Sequence, residues 1–319
     1  PAREAGVIGV GRPLPIPDNG SIARVPLDPV TVLRVVRLVR SGRWDLLHLH
    51  EPLVPAVCLT AVLASPVPVV GTFHRYGSGA GWYRRFALVT RPAMRRIDAR
   101  IAVSRAAADH VARTFPGWFR IIPNGLDVAA HALPGERDGM RVVFVGRPEA
   151  RKGLSVLLGA LARLPEGVRL DLVGVRPEEL RRLASRLPPE VARRVHAHGR
   201  VSDEERRRRL AEADVLCAPS LRGESFGIVL AEGMAAGLPV VASAIPGYTD
   251  LVSEEWGRLV PPGDERALAA ALAEILADRS LRETMGAAGR REAERLDWSH
   301  VAGEVLGVYE EVLGARRAA

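Results

Sequence analysis

The stretch DVLCAPSLRGESFGIVLAEGMAAGLPVVAS, residues 214–243, decides the fold class. It reads as a short apolar strand, a loop with glycines, an apolar helix and a second apolar strand. Parallel sheets covered by helices are built from such strand–helix–strand units. Because comparable runs alternate with helical patterns along the whole chain of 319 residues, we predict an α/β protein.

The alternation forms two blocks, separated by an irregular segment at 123–139 that is rich in proline, glycine and charge. We predict a first domain at 1–137 and a second at 138–297, with a terminal helix at 298–319 packing back on the first. A doubly wound domain opens with a strand–helix unit of ~30 residues or more, and the first block lacks it. We therefore expect the first domain to be truncated at its start.

Composition limits the classes of partner. The net charge is +8, which favours anionic partners such as nucleic acid, a phospholipid surface or a phosphorylated substrate. Aromatic platforms and known nucleic-acid motifs are lacking, so we expect no nucleic-acid partner. Cys58 and Cys217 lie in apolar runs without metal-ligand spacing, which is typical of a cytoplasmic protein. The sequence shows neither a signal peptide nor an apolar run of membrane-spanning length.

Two acids, Glu224 and Glu232, accompany the apolar helix of the opening stretch. Ligands of wound sheets bind beyond the carboxyl ends of the strands, and the free amides at the start of a helix near Phe226 suit a phosphate group. Free carboxylates would repel that phosphate. We therefore interpret the acids as acceptors of hydroxyl groups, one from a sugar and one from a ribose. The alternative, an acid at a helix start and an ordinary exposed acid, stays open.

The second domain opens with VVFVGRPEARKGLSVLLGAL, residues 142–161. A strand is followed by Arg147, Arg151 and Lys152, which is the only lysine of the chain. Fixed positive charge at a strand end stabilises the charge of a departing diphosphate. A solvated basic loop is the alternative. Because the chain has no Asp-x-Asp pair, we expect donor binding without a metal.

Five histidines follow or occupy predicted strands. His74 comes directly after VVGTF, at the carboxyl end of a strand, where it either belongs to a catalytic site or caps the strand. His48 and His50 in HLHEP and His196 and His198 in VHAHG have a spacing of two. We interpret both pairs as strand residues, since no third metal ligand lies nearby in sequence.

The motifs GRPEARKG, APSLRGESFGIVLAEGMAAGLPVVAS and IIPNGLD, with their E-x7-E spacing, together resemble glycosyltransferase family 4. This resemblance implies the GT-B fold, in which two Rossmann-like, doubly wound domains face each other across a cleft. It implies a hexosyltransferase that retains the anomeric configuration. It also implies a nucleotide sugar as substrate and no tightly bound cofactor.

Four further segments are similar to the actinobacterial phosphatidylinositol mannosyltransferase branch: PLPIPDNGSIAR (13–24), DLLHLHEP (45–52), VVGTFH (69–74) and RIAVS (100–104). The similarity implies transfer of mannose from GDP-mannose to a phosphatidylinositol-type lipid. It assigns catalytic roles to His74 and Glu224 and an acceptor role to Asn19, Ser21 and Arg24. The donor residues that it implies are Arg147, Lys152, Val201, Asp203, Ser225, Phe226, Gly227, Ile228 and Glu232.

Other functions remain open. The chain could use another nucleotide sugar or a soluble acceptor, or it could be an inactive nucleotide-sugar-binding domain because its start is missing. An epimerase of the same architecture is a further alternative.

Residues 28–42, DPVTVLRVVRLVRSG, predict a basic amphipathic helix. At 100° per residue, Arg34, Arg37 and Arg40 fall on one arc. Each cation near an anionic leaflet contributes ~1 kcal/mol, so three give weak, reversible attachment. The alternative is a packed helix with a solvated arginine face. With the resemblance, we expect a cytoplasmic protein that contacts the inner face of the plasma membrane.

Overall fold

The computed structural model describes residues 7–18, 21–77, 81–184 and 187–318. They divide into two compact units. Unit 1 comprises Pro1–Ile122 and Gly303–Ala319, and unit 2 comprises Pro123–Ala302. Both contain parallel sheets flanked by helices, so the predicted α/β class is confirmed.

Unit 1 contains a sheet of parallel strands in the order β3-β4-β5-β6, together with an antiparallel hairpin, β1–β2. The hairpin pairs Leu14 with Val25 and was not predicted from the sequence. The strands are β1 Leu14–Asp18, β2 Ser21–Val25, β3 Leu47–His50, β4 Val69–Phe73, β5 Ala99–Ala102 and β6 Arg120–Ile121. The helices are α1 Pro29–Val39, α2 Val57–Ala64, α3 Gly81–Arg85, α4 Ala87–Met94 and α5 Arg105–Ala112.

Strand β4 lies inside this sheet, and all five of its residues are buried. Its sequence VVGTF is apolar without alternation, as expected for a parallel strand covered on both faces. Its carboxyl end delivers His74. Strand β3 pairs beside it, with His48 opposite Val70 and His50 opposite Thr72.

Helix α1 is amphipathic, as its sequence predicts. Val35 and Val39 are buried and pack against α2 and β3, whereas Arg34, Arg37 and Arg40 are exposed. The described residues include no helix that is both long and apolar enough to cross a membrane.

Unit 2 contains a sheet of parallel strands in the order β12-β11-β10-β7-β8-β9. The strands are β7 Arg141–Val145, β8 Arg169–Val173, β9 Val195–Gly199, β10 Val215–Ala218, β11 Val240–Ser243 and β12 Gly257–Val260. The helices are α6 Leu154–Leu161, α7 Pro177–Ala184, α8 Pro189–Ala192, α9 Asp203–Glu212, α10 Ile228–Ala235, α11 Glu265–Ala277, α12 Arg279–Ala293 and α13 Trp298–Ala318. The last helix belongs to unit 1 from Gly303 onward.

The strand order of unit 2 reverses between β7 and β10. From β7 the chain proceeds outward through β8 and β9, and then it returns to place β10 on the other side of β7. A wound sheet opens a crevice at such a reversal, because the connections on its two sides leave in opposite directions. The loops that follow β7 and β10 therefore meet at the place where a ligand is expected.

Candidate functional site

The loops after β7 and β10 of unit 2 are in direct contact. The backbone N–H of Leu221 donates to the carbonyl of Arg151 at 2.7 Å. Gly153 has a φ of +68°, and a Cβ at this position would collide with the carbonyl of Pro219. Only glycine permits both this backbone conformation and this close approach. The contact brings the GRPEARKG motif beside the GESFG motif.

A cluster of ion pairs fills this junction. Glu224 contacts Arg151 at 2.5 Å and Lys152 at 2.8 Å, and Glu149 contacts Arg147 at 2.9 Å and Arg151 at 2.8 Å. The Lys152 side chain is only 16% exposed, whereas that of Arg147 is 58% exposed. The basic loop is therefore not simply solvated, because two of its cations are held in place by carboxylates. Three cations share two acids, which leaves net positive charge for an anionic ligand.

Two cavities adjoin this cluster. The larger, of about 350 Å³, is lined by residues from the ends of β7, β8 and β9 and from α9 and α10. Arg147, Lys152 and Val201 belong to its lining. The smaller, of about 40 Å³, is lined by Lys152, Glu224, Gly227 and Ile228, among others. Lys152 thus borders both cavities and marks where they adjoin.

Helix α10 begins at Ile228, two residues later than the sequence suggested. Gly227 precedes it with a φ of +89°, and a Cβ there would lie 2.9 Å from the ring of Tyr248. Phe226 is buried before the helix. Glu224 therefore lies in the loop, whereas Glu232 lies on the helix. Ser225, in the same loop, is partly exposed.

Glu232 is buried on α10, so the alternative of an ordinary exposed acid is wrong. Arg206 donates to its carboxylate at 2.9 Å and also pairs with Asp203 at 2.9 Å. Burial raises the pKa of Glu232, and the charges of Arg206 and His131 oppose that shift. Asp203 itself is largely exposed at the start of α9. Glu232 is thus a buried carboxylate that forms an ion pair with Arg206.

His74 lies in unit 1, at the carboxyl end of β4. Its backbone N–H donates to Glu51 at 2.6 Å, and its Nε2 lies 2.7 Å from Nδ1 of His50. Of the predicted acceptor residues, Asn19 lies outside the described residues. Ser21 and Arg24 belong to β2, but their side chains are outside the described part of the chain.

The histidine pairs are strand residues, as interpreted from the sequence. His48 and His50 belong to β3, and His196 and His198 to β9. His198 contacts Asp171 on the adjacent strand at 2.7 Å. No group of three or more histidine, cysteine, aspartate or glutamate side chains in the described ranges could hold a metal ion.

Sequence reasoning missed several site residues. Arg206 and Arg200 line the larger cavity, and Glu149 bridges two arginines. In unit 1, His50 and Glu51 contact His74. The spacing of three between Asp203 and Arg206 on one helix could have indicated the pairing of Arg206. Glu149 lies in the GRPEARKG motif, and His50 and Glu51 lie in DLLHLHEP, so these motifs could have indicated them.

Comparisons with known proteins agree with this geometry. Residues 139–278 match the family model described as Glycosyl transferases group 1, and residues 1–130 match the one described as Glycosyltransferase Family 4. The phosphatidyl-myo-inositol mannosyltransferase of Mycobacterium leprae is 42% identical over 96% of this chain and 84% of that protein. The D-inositol 3-phosphate glycosyltransferase of Xylanimonas cellulosilytica is 32% identical over 90% of this chain and 76% of that protein.

Solved structures share the fold. Anabaena HepE, solved in complex with UDP, has a TM-score of 0.77 at 22% identity, covering 88% of this chain and 82% of that one. The sucrose-phosphate synthase of Thermosynechococcus elongatus has a TM-score of 0.73 at 27% identity, covering 92% and 84%. The predicted GT-B fold and the predicted resemblance are confirmed. This chain therefore belongs to glycosyltransferase family 4 and is a glycosyltransferase.

Proposed function

We propose that this glycosyltransferase moves mannose from GDP-mannose to a phosphatidylinositol-type lipid, with retention of the anomeric configuration and without a metal or tightly bound cofactor. The observation that carries the proposal is the contact of Lys152 and Arg151 with Glu224 at the strand reversal of unit 2. In this arrangement, two cations that would bind phosphate lie next to a carboxylate that would accept sugar hydroxyls. The identity of 42% to a phosphatidylinositol mannosyltransferase supports the choice of substrates.

The donor's diphosphate would bind Arg147 and Lys152 along the cavity of about 350 Å³. These cations are fixed before the sugar leaves, so they stabilise the developing charge without rearrangement. The backbone of Ser225, Phe226, Gly227 and Ile228, which leads into α10, would complete the phosphate site.

Two carboxylates would hold the sugar parts of the donor. Glu224 would accept hydrogen bonds from the transferred sugar, because it borders the small cavity beside Lys152. Glu232 would accept the ribose hydroxyls, and Arg206 keeps its carboxylate in one position. Val201 and Asp203 would lie near the base. In unit 1, His74 would contact the transferred sugar.

The acceptor would bind unit 1, and Asn19, Ser21 and Arg24 would hold its phosphate and polyol. We propose that Arg34, Arg37 and Arg40 attach the protein peripherally to the inner face of the plasma membrane. Their exposure on the face of α1 opposite its buried valines supports this contact. Cations on this exposed face attract anionic lipid, and added salt weakens that attraction.

The proposal is tested by supplying GDP-mannose, UDP-glucose and UDP-N-acetylglucosamine in turn with three acceptors. These are phosphatidylinositol in detergent micelles, phosphatidylinositol in anionic vesicles, and soluble inositol 3-phosphate. We expect a mannosylated lipid in the organic phase and release of GDP. Glu224→Gln should abolish product while leaving GDP binding intact, and Glu283→Gln, at an exposed glutamate on α12, serves as the matched control.

The outcomes separate the alternatives. If product appears only in the aqueous phase, the acceptor is a soluble molecule and not a lipid. The similarity to a D-inositol 3-phosphate glycosyltransferase favours this alternative. A β-linked product, read from the anomeric coupling, would contradict retention. GDP binding without turnover of any donor would indicate a nucleotide-sugar-binding protein instead.

A further inference from the structure

His74 is held by the two residues at the end of β3. The imidazole of His50 contacts that of His74 with Nδ1 and Nε2 2.7 Å apart, and the ring centroids are 5.0 Å apart. In a neutral pair, one nitrogen carries the hydrogen and the other accepts it. This contact therefore restrains the plane of the His74 ring and couples its tautomer to that of His50.

Glu51 holds the backbone of the same residue. One of its carboxylate oxygens accepts from the His74 backbone N–H at 2.6 Å, and the other accepts from the hydroxyl of Tyr83 at 3.1 Å. Glu51 has a φ of +55°, which is rare for a residue with a side chain. Strained conformations of this kind persist where the surrounding contacts require them. Burial raises the pKa of Glu51, and the hydrogen bonds from His74 and Tyr83 oppose that shift.

His48 supports the His50 ring from the other side. The two rings stack with centroids 4.7 Å apart. Nε2 of His48 lies 2.7 Å from the Thr72 hydroxyl, and its Nδ1 lies 2.6 Å from the Tyr309 hydroxyl. Burial, followed by the charges of His50 and His74, lowers the pKa of His48 to about 4. His48 is thus neutral near pH 7 and anchored at both nitrogens.

We propose that His50 is a positioning residue for His74. It sets the tautomer and plane of the His74 ring, while Glu51 sets its backbone. The inference rests on the proposed function, in which His74 contacts the transferred sugar. Every contact on which it depends lies within unit 1. His48, His50 and Glu51 thus act on the reaction through His74.

The test compares His50→Ala with His50→Asn. The amide nitrogen of asparagine is bonded to Cγ, as Nδ1 is in histidine. His50→Asn therefore restores a hydrogen-bonding atom at the position of Nδ1. A reacting group displaced by about 1 Å can lose about a hundredfold in rate, so we expect kcat to fall about a hundredfold in His50→Ala. His50→Asn should recover at least tenfold of that loss. The Kd of GDP, which lacks the transferred sugar, should change less than twofold, because the residues proposed to bind the nucleotide lie in unit 2.

A second measurement does not depend on turnover. Imidazole nitrogen chemical shifts should show one tautomer of His74 in the wild-type protein and in His50→Asn, and a mixture in His50→Ala. His196→Ala, an exposed histidine on β9, is the matched control and should change neither readout. A wild-type kcat in His50→Ala, an unrescued His50→Asn, or an unchanged His74 tautomer would overturn the proposal. If no substrate pair gives turnover, the proposed function fails, while the tautomer experiment still decides the role of His50.

Discussion

Replacing Lys152 with methionine should weaken binding of a nucleoside diphosphate more than the same change at Arg147. Lys152 is mostly buried, borders both cavities and contacts Glu224 at 2.8 Å. Arg147 is 58% exposed, so water and salt screen its charge. Methionine keeps most of the side-chain length while removing the charge, and Glu224 keeps Arg151 as a partner.

The expected magnitude follows from the burial of each cation. A hydrogen bond to a charged group contributes about 1.5–3 kcal/mol, so Lys152→Met should raise the Kd of GDP by roughly 10- to 150-fold. An exposed ion pair contributes about 1 kcal/mol or less, so Arg147→Met should raise it by at most about fivefold.

Isothermal titration of both variants with GDP and with UDP measures these changes. Circular dichroism should first show that each variant unfolds at close to the wild-type temperature. Repeating the titration at higher salt should reduce the effect of Arg147→Met more than that of Lys152→Met. The reasoning is refuted if Arg147→Met is equal to or worse than Lys152→Met, or if Lys152→Met binds GDP as the wild type does.

Three further changes test other parts of the structure. Gly227→Ala should destabilise the protein by about 1–3 kcal/mol in urea unfolding, because the φ of Gly227 is positive and an added Cβ would crowd Tyr248. Gly303→Ala should stabilise the protein by up to about 1 kcal/mol, because Gly303 lies within helix α13 with open space around it. Burial raises the folded-state pKa of Glu232, so this group's contribution to stability is lost as pH rises through that value. Glu232→Gln should thus flatten the decline in unfolding free energy above pH 4.5, the ordinary value for a glutamate. Burial raises the pKa of the Cys58 thiol to about 11, so iodoacetamide should label it at pH 8 at least tenfold more slowly than free cysteine.

The sequence by itself determined the α/β class, the family and the strands of the parallel sheets, but not the β1–β2 hairpin. Each of these depends on local patterns: apolar runs of strand length, glycine-rich turns, and motifs such as GRPEARKG and GESFG. The rule that ligands bind at the carboxyl ends of parallel strands also directed attention to the loops after β7 and β10, which the structure brings into contact. The helix α10 begins at Ile228 rather than near Phe226, because Gly227 has a positive φ and cannot belong to the helix.

Only the tertiary structure decided which side chains meet. Arg151 and Glu224 are 73 residues apart in sequence, and His50 and His74 are 24 apart, yet each pair is in hydrogen-bond contact. The sequence left Glu232 open between an acid that accepts hydroxyl groups and an ordinary exposed acid. Its burial in the structure excludes the exposed acid. Such contacts follow from strand order and register. These are set by the packing of the whole sheet and leave no trace in the spacing of any short segment.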